Sequence, residues 1–335
     1  MKYLKMKPIQ YIVVGAIIAV IPFLFHIPQA TMTILNTVVI YSMIALGFNI
    51  LLGYAGQISL GHAAFMGLGA YVSAYLTAKL ALPFLLSLLI SGIVPMIIGV
   101  LLGLIALRLE GHYLGIATLG FGVAAQQIFV EWVGFTNGYS GVRAKYPAIF
   151  GYQFKSREAF FVLAIAVLVI LCIFAYNLLK AKTGRAILAM RDSASAAQAM
   201  GVYIYKYKLI AFALSAFYAG IAGSMYIHLI RFTEPSTWGV TLSLNLLAIV
   251  VIGGMASIGG SILGAIFIGL SPEVIKAIPA LSEIMNLSYI LNGVTMILAI
   301  MFFPLGLVRL PVQWKLYRAK RKKNKALKLG LEDQA

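Results

Sequence analysis

Polar side chains and glycines interrupt an apolar part of the chain between Gly53 and Tyr71. The run GYAGQISLGHAAFMGLGAY contains five glycines, a glutamine, a serine and a histidine. Glycine weakens a helix, and broken helix inside a membrane is tolerated only where protein or a water-filled cavity satisfies the backbone. We therefore expect 53–62 to be an unwound or re-entrant turn whose polar side chains face a solute path. The path residues predicted here are Gly53, Gly56, Gln57, Ser59, Gly61 and His62.

Close packing of helices is the alternative explanation for this run, because small residues let two backbones approach each other. We expect packing for Gly67 and Gly69. For Gln57 and Ser59 we favour a pathway or gate role, since polar groups in membrane helices are often functional. For His62, a hydrogen bond to a carbonyl at the loop edge is an equal alternative.

A second glycine-rich segment, GGMASIGGSILGAIF, runs from Gly253 to Phe267. It breaks an apolar run in the other half of the chain. Broken helices in both halves of a membrane protein point to a central translocation path. We therefore add Gly253, Gly254, Gly259 and Gly260 to the predicted path.

The sequence shows no arrangement of residues that is typical of covalent catalysis or metal binding. The four histidines are scattered without the spacing of metal ligands, and there is no G-x-x-x-x-G-K-[ST] phosphate loop. None of the nine acidic residues lies at the centre of a predicted span, where it could couple transport to ions. We expect no catalytic residue, no metal and no cofactor on this chain, and any ATP hydrolysis must occur on a partner subunit.

Composition places the chain in a membrane. Of its 335 residues, 62% are hydrophobic and 10% are charged, which is more apolar surface than a soluble domain could bury. The formal net charge of +17 would suit a nucleic-acid binder. However, the basic residues cluster beside apolar runs, as in the cytoplasmic loops of membrane proteins. We therefore expect a lipid bilayer and no nucleic acid as a partner.

These patterns predict an all-α, polytopic integral membrane protein with about ten spanning helices, in a range of 8–11, and with broken or re-entrant glycine-rich segments. The predicted spans lie near 9–27, 31–52, 63–82, 84–107, 112–133, 159–179, 209–230, 240–256, 258–279 and 287–308. The first resembles a signal peptide, but the residues after it form a poor cleavage site, so we favour a retained helix. A single long span with an outer surface helix is the alternative for 240–279.

Ten spans place the three basic clusters, at 2–7, 180–208 and 309–328, on one side of the membrane. Under the positive-inside rule that side is the cytoplasm, and both termini lie there. The single long span over 240–279 would leave the basic tail outside. We expect one transmembrane domain over 1–308 and a basic cytoplasmic tail over 309–335.

The cytoplasmic loop 181–208 is rich in alanine and other helix formers. We expect two short helices, about 185–191 and 193–200, with a cap at Asp192-Ser193 and an end at Gly201. The small residues favour insertion into a groove on another protein. Contact of the loop lysines with anionic lipid heads is the alternative.

Five motifs in a fixed order carry a resemblance to a known family. They are GYAGQISLGHAAFMGLGAY, LEGHYLGIATLGFG, TNGYSGV, GRAILAMRDSASAAQAMGV and GGMASIGGSILGA. Together they resemble the M-type (LivM-like) permease subunits of bacterial ABC importers for branched-chain amino acids. Urea and short-chain amide importers have similar subunits and are the alternative for the substrate.

The resemblance implies a permease domain in the bacterial cytoplasmic membrane and a set of partners. These are a second, H-type permease subunit, two ABC ATPase subunits that hydrolyse ATP, an extracytoplasmic solute-binding protein and the amino acid itself. It also implies that the cytoplasmic loop seats on an ATPase. The coupling residues are then Gly184, Arg185, Arg191, Asp192, Ala197 and Gly201. The family often has a glutamate soon after the second arginine of this loop, whereas in this chain Asp192 is the only acidic residue of the loop.

The outer segments 134–158 and Arg231–Gly239 would face the binding protein. Trp238 is expected either at that contact or at the bilayer interface. An ATP-independent channel or facilitator is the main alternative from another class. A membrane enzyme would need acidic or histidine clusters at the end of a span, and the sequence has none.

Overall fold

The computed structural model describes residues 8–24, 27–109, 111–276, 293–294, 297, 301 and 306–309, and most of them are helical. A π-helix, Ile50–Tyr54, continues the second α-helix. Within the described ranges the α-helices are α1 (Pro8–Leu24), α2 (Gln29–Asn49), α3 (His62–Ala78), α4 (Phe84–Ala106), α5 (His112–Glu131), α6 (Val133–Thr136), α7 (Arg157–Lys180), α8 (Lys182–Asp192), α9 (Ala194–Ala199), α10 (Ile204–Ile230), α11 (Val240–Gly253) and α12 (Ile258–Lys276).

Two short antiparallel strand pairs lie between the helices, and the sequence did not predict them. The strands are β1 (Val142–Arg143), β2 (Ala148–Ile149), β3 (Tyr152–Gln153) and β4 (Phe232–Thr233). Strand β1 pairs with β4, and β2 pairs with β3. The β1–β4 pair joins the two segments, 134–158 and 231–239, that were predicted to lie outside together.

Five described helices are long and apolar enough to cross a membrane: α2 with its π-helical extension, α4, α5, α7 and α10. The predicted polytopic helical architecture is therefore present. The helices α1 and α11 are apolar but shorter. The predicted span 287–308 and the tail 309–335 lie almost wholly outside the described residues. The count of ten spans and the boundary at 308 remain predictions.

The region 240–276 consists of two helices, so the alternative of one long span is wrong. Helix α11 ends at Gly253, and a turn over 254–257 leads into α12. Gly254 has φ +126° and Ala256 has φ +56°, which an α-helix cannot accommodate. The two helices pack against each other, and their crossing of the membrane as two separate spans remains a prediction.

Helix α10 is at the centre of the bundle and packs against α2, α3 and α4. Its contact with α3 depends on glycine. A Cβ at Gly69 would overlap the backbone of Gly220, and a Cβ at Gly223 would overlap the carbonyl of Met66. Gly67 lies under the Trp238 ring. The packing role predicted for Gly67 and Gly69 is therefore confirmed.

Side-chain contacts define two ends of this bundle. At one end the Gln57 amide donates to the Lys208 carbonyl, which joins the break after α2 to the start of α10. At the other end His228 Nδ1 contacts the Lys145 carbonyl, close to the β1–β4 pair. We call these the loop end and the strand end.

Candidate translocation and coupling site

The first predicted break is present at the loop end. Helix α2 passes into the π-helix, and residues 55–61, here called the break loop, are irregular until α3 begins at His62. A π-helix holds an extra residue per turn and is common at functional sites. Gly56 has φ +69° and is exposed, and Arg191 is the neighbour that a Cβ there would meet.

Polar side chains of this break are buried against protein, and Gln57 also lines a cavity described below. Ser59 and His62 are fully buried, and His62 lies 2.9 Å from Ser59 Oγ through Nδ1 and 2.5 Å from Ser215 Oγ through Nε2. Gln57 is also buried, and its Oε1 has no hydrogen-bond partner among the residues that the structure describes. The pathway role of these three residues remains a prediction. Their observed contacts fix the shape of the break loop.

Hydroxyl groups from distant helices accept hydrogen bonds from backbone amides of the break loop and of the first turn of α3. Thr118 Oγ1 on α5 accepts from the Leu60 amide at 3.0 Å, and Ser243 Oγ on α11 accepts from the Ala63 amide at 3.0 Å. A Cβ at Gly61 would overlap the Thr118 carbonyl. Sequence reasoning missed Thr118, Ser215 and Ser243. The available signal was a lone hydroxyl residue within an apolar helix.

The second glycine segment forms the tight hairpin between α11 and α12. A Cβ at Gly253 would overlap the Gly260 carbonyl, and a Cβ at Gly264 would overlap the Ile249 carbonyl. Gly254 and Gly260 are buried, whereas Gly259 is partly exposed. These glycines permit close backbone contact between the two helices, and their predicted path role is an additional hypothesis.

The two breaks meet at Asn49, the last residue of α2. Its amide nitrogen donates to the carbonyls of Gly254 and Ser257 and to Ser261 Oγ, and its Oδ1 accepts from the Ala256 amide at 2.8 Å. Sequence reasoning missed Asn49, although a buried asparagine in an apolar helix requires such partners.

The cytoplasmic loop contains the two predicted short helices, α8 and α9. Ser193 Oγ accepts from the Ala196 amide and caps α9. Gly201, with φ +82°, follows its end. Gly184 and Ala197 are buried, and a Cβ at Gly184 would overlap the Leu179 backbone. These two positions therefore fix how the loop packs.

The charged coupling residues differ in their contacts. Arg185 is exposed and donates to the Lys180 carbonyl at 2.9 Å. Arg191 donates to the Gly53 carbonyl at 2.6 Å and lies 3.3 Å from the carboxylate of Asp192, whose side chain is 71% exposed. Arg191 thus already links the cytoplasmic loop to the first break within this chain.

Two large side chains just after α9 were not among the coupling residues predicted from the sequence. Met200 is 84% exposed and Tyr203 is 68% exposed. They lie beside Gly201, where an added Cβ would have no heavy atom from the described part of the chain within 4 Å. This surface is open for contact with another protein.

A cavity of about 220 Å³ separates the cytoplasmic loop from the break loop. Gly56, Gln57, Met190, Arg191 and Lys208 are among the residues that line it. Beside this cavity, Arg191 connects α8 to the π-helix through its hydrogen bond to the Gly53 carbonyl, and its side chain also lies next to Gly56.

At the strand end, Trp238 is 1% exposed and packs against Tyr226 as well as Gly67. It therefore belongs to the core, and the expectations of a binding-protein contact or a bilayer-interface position for it are wrong. Arg231 is exposed and stacks over the Tyr146 ring at 4.4 Å. That pair holds the two outer segments together beside the β1–β4 strands.

Comparison with known proteins identifies the family. Residues 30–300 match the family described as branched-chain amino acid transport system / permease component. The chain is 31% identical over 319 residues to the high-affinity branched-chain amino acid transport system permease protein LivM of Escherichia coli K12, covering 88% of this chain and 74% of the relative. It is 30% identical over 308 residues to LivM of Salmonella typhimurium LT2, covering 85% and 71%.

Part of the chain also matches a differently named permease. It is 30% identical over 155 residues to the probable branched-chain amino acid transport permease protein LivH of Methanocaldococcus jannaschii, covering 44% of this chain and 47% of that protein. No solved structure matches the chain. The match over 30–300 and the extent of the likeness to LivM establish that this multi-pass membrane protein belongs to the family of branched-chain amino acid transport system permease components.

Proposed function

We propose that this chain forms half of the translocation path of an ABC importer for branched-chain amino acids. It lies in the bacterial cytoplasmic membrane with the loop end, both termini and the basic tail in the cytoplasm. Two ATPase subunits supply the energy, and an extracytoplasmic solute-binding protein delivers the amino acid at the strand end. The chain itself is not an enzyme and binds no cofactor in this proposal.

The observation that carries this proposal is the face of α5 that the described residues leave uncovered. Among the five long spans, α5 is the least hydrophobic, yet only 28% of its most apolar 18-residue window is buried, against 78% for α2 and α10. A span that exposes much of its surface to lipid should be more apolar than a span covered by protein. The helices α4 and α7 are more apolar than α5. The open face of α5 is therefore better suited to a partner subunit or a water-filled path.

The residues on that face support this interpretation. A Cβ added at Gly120 would meet no heavy atom of the described residues within 4 Å, and Ala124 follows Gly120 one turn later. Small residues four apart let a second helix approach closely. Gln127 donates to Glu131 at 3.0 Å on the same exposed face, which adds polar groups where hydrocarbon would be unfavourable.

The second permease is proposed to be a related, H-type subunit. The likeness of part of this chain to LivH supports a pair of related subunits. The open α5 faces of the two subunits would then line the path between them. The break loop lies directly behind this face, because Gly61 packs on Thr118 and Gly122 of α5.

Coupling is proposed to run through the cytoplasmic loop. ATP-driven closure of the ATPases would move α8 and α9, and Arg191 of α8 contacts the π-helix that precedes the break loop through the Gly53 carbonyl. The break loop holds α5 through Thr118. A rigid-body movement of these elements would open the path alternately to each side.

The test is uptake by the reconstituted importer. The chain is combined with its second permease, ATPases and binding protein in liposomes, and entry of labelled leucine, isoleucine and valine is measured with and without ATP. We expect uptake that requires ATP and the ATPase subunits. Uptake without them would indicate a channel or facilitator, and uptake of urea or short amides alone would refute the substrate.

A further inference from the structure

Asn49 occupies a position that connects both glycine breaks of the chain. It is 1% exposed and makes its hydrogen bonds to residues 254–261, about 205–212 residues later in the sequence. The carboxamide supplies both donors and an acceptor, and the turn it contacts presents both kinds of group. Aspartate would keep the acceptor and lose the donors.

The turn over 254–257 depends on this side chain. Its backbone groups lie between the end of α11 and the start of α12, where helical hydrogen bonds stop. The Ala256 amide has Asn49 Oδ1 as its partner, and the Ser257 carbonyl accepts from the Asn49 amide at 2.9 Å. Asn49 thus ties the α11–α12 turn to the end of α2.

Gly53 brings the cytoplasmic loop into the same cluster. It lies one turn after Asn49 within the π-helix, and a Cβ at Gly53 would overlap both Asn49 Oδ1 and the Ala256 amide. Its carbonyl accepts from Arg191 of α8. A continuous set of contacts therefore runs from Arg191 through Gly53 and Asn49 to the α11–α12 turn.

We propose that Asn49 is a positioning residue that transmits movement of the cytoplasmic loop to the α11–α12 hairpin. When α8 moves, Arg191 displaces the Gly53 carbonyl, and the π-helical segment carries Asn49 and its bonded turn with it. This inference rests on the proposed ATP-driven function. It adds a specific role for a residue that touches neither the ATPase nor the open face of α5.

The experiment measures leucine transported per ATP hydrolysed by the complete reconstituted importer. Asn49→Asp is expected to lower this ratio about tenfold while hydrolysis itself changes less than about twofold. A merely structural role would instead reduce the amount of assembled importer and leave the ratio unchanged. Asn36→Asp is the matched control, because Asn36 is a buried asparagine of α2 that bonds the Met32 and Arg157 carbonyls, away from the breaks.

A second variant tests the other side of the contact. Arg191→Met is expected to lower the same ratio, and the double variant with Asn49→Asp should be no lower than the more impaired single variant, because both act in one chain of contacts. If the two substitutions act independently, so that their reductions of the ratio multiply in the double variant, the proposal is overturned. An equal transport ratio in Asn49→Asp and Asn36→Asp would also overturn it.

Ser261→Ala provides the test if the Asn49→Asp variant does not assemble into the importer. It removes only one acceptor of the Asn49 amide, at 2.8 Å, and is expected to lower the ratio by a smaller factor. An unchanged ratio in Ser261→Ala together with an unassembled Asn49→Asp would show that Asn49 serves folding alone. If the wild-type importer shows no ATP-dependent uptake, the proposed function fails. If the wild-type importer is active and the variants keep its transport ratio, only the role of Asn49 fails.

Discussion

Replacement of Met200 by alanine should weaken binding of the ATPase subunit. Met200 lies at the end of α9 and is 84% exposed in this chain, so a partner that covers it gains most of the burial of the side chain. Burying a whole methionine side chain is worth about 1.5–3 kcal/mol. Because alanine keeps the Cβ and part of the side chain is already covered, the loss should be about 1–2 kcal/mol, which is roughly a 5- to 30-fold increase in Kd.

The assay is binding of purified ATPase to the full chain in nanodiscs, followed by biolayer interferometry. The backbone of α9 should be unaffected, because the Met200 amide donates to the Ala196 carbonyl whatever the side chain is. Phe150→Ala is the control, since Phe150 is fully exposed at the strand end. Equal affinities for Met200→Ala, Phe150→Ala and the wild type would refute the docking surface and favour insertion of this loop among lipid heads.

Three other substitutions test the packing and the open face. Gly223→Ala would place a Cβ against the Met66 carbonyl and should destabilise the α3–α10 contact by about 1–3 kcal/mol, seen as a lower unfolding temperature in detergent. Ser215→Ala would leave His62 Nε2 without its partner and should cost about 1–3 kcal/mol in the same measurement. Gly120→Trp should leave the unfolding temperature of the isolated chain unchanged, since the site is open, but should block uptake by the assembled importer.

Exposed positions provide the controls for these variants. A Cβ at Gly134 would also have no heavy atom of the described residues within 4 Å, so Gly134→Ala and Gly134→Trp match the two glycine changes. Ser195→Ala matches the serine change, because Ser195 is exposed. Unfolding temperatures equal to those of the controls would contradict the first two predictions. Normal uptake in Gly120→Trp would show that the α5 face is neither path nor interface.

Much of the helical layout could be predicted because its signals are local. Apolar runs of about 20 residues predicted helices close to their observed positions, for example α4 and α5. The short loop helices were predicted from alanine content and a serine cap, and Ser193 does cap α9. The strand pairs were missed because two-residue strands carry no periodic pattern, and β1 finds its partner β4 far along the chain.

The site was less predictable, because a side chain's type does not reveal its partner. Gln57, Ser59 and His62 were predicted to face a solute path, a role that stays a prediction, and the sequence did not reveal that His62 contacts Ser215, 153 residues later. Arg191 was assigned to an external contact by family resemblance, whereas its guanidinium also bonds Gly53, 138 residues earlier. Trp238, expected at a surface, is buried because Gly67 leaves room for its ring.

The sequence by itself determined that this chain crosses a membrane, where its helices break and which loop carries the basic charge. Those properties follow from runs of neighbouring residues, since hydrophobic length, glycine content and charge act locally. Only the tertiary structure decided that the two breaks are joined through Asn49 and that α5 has an open face. Both depend on which helices pack together, and that is settled by contacts between residues far apart in the chain.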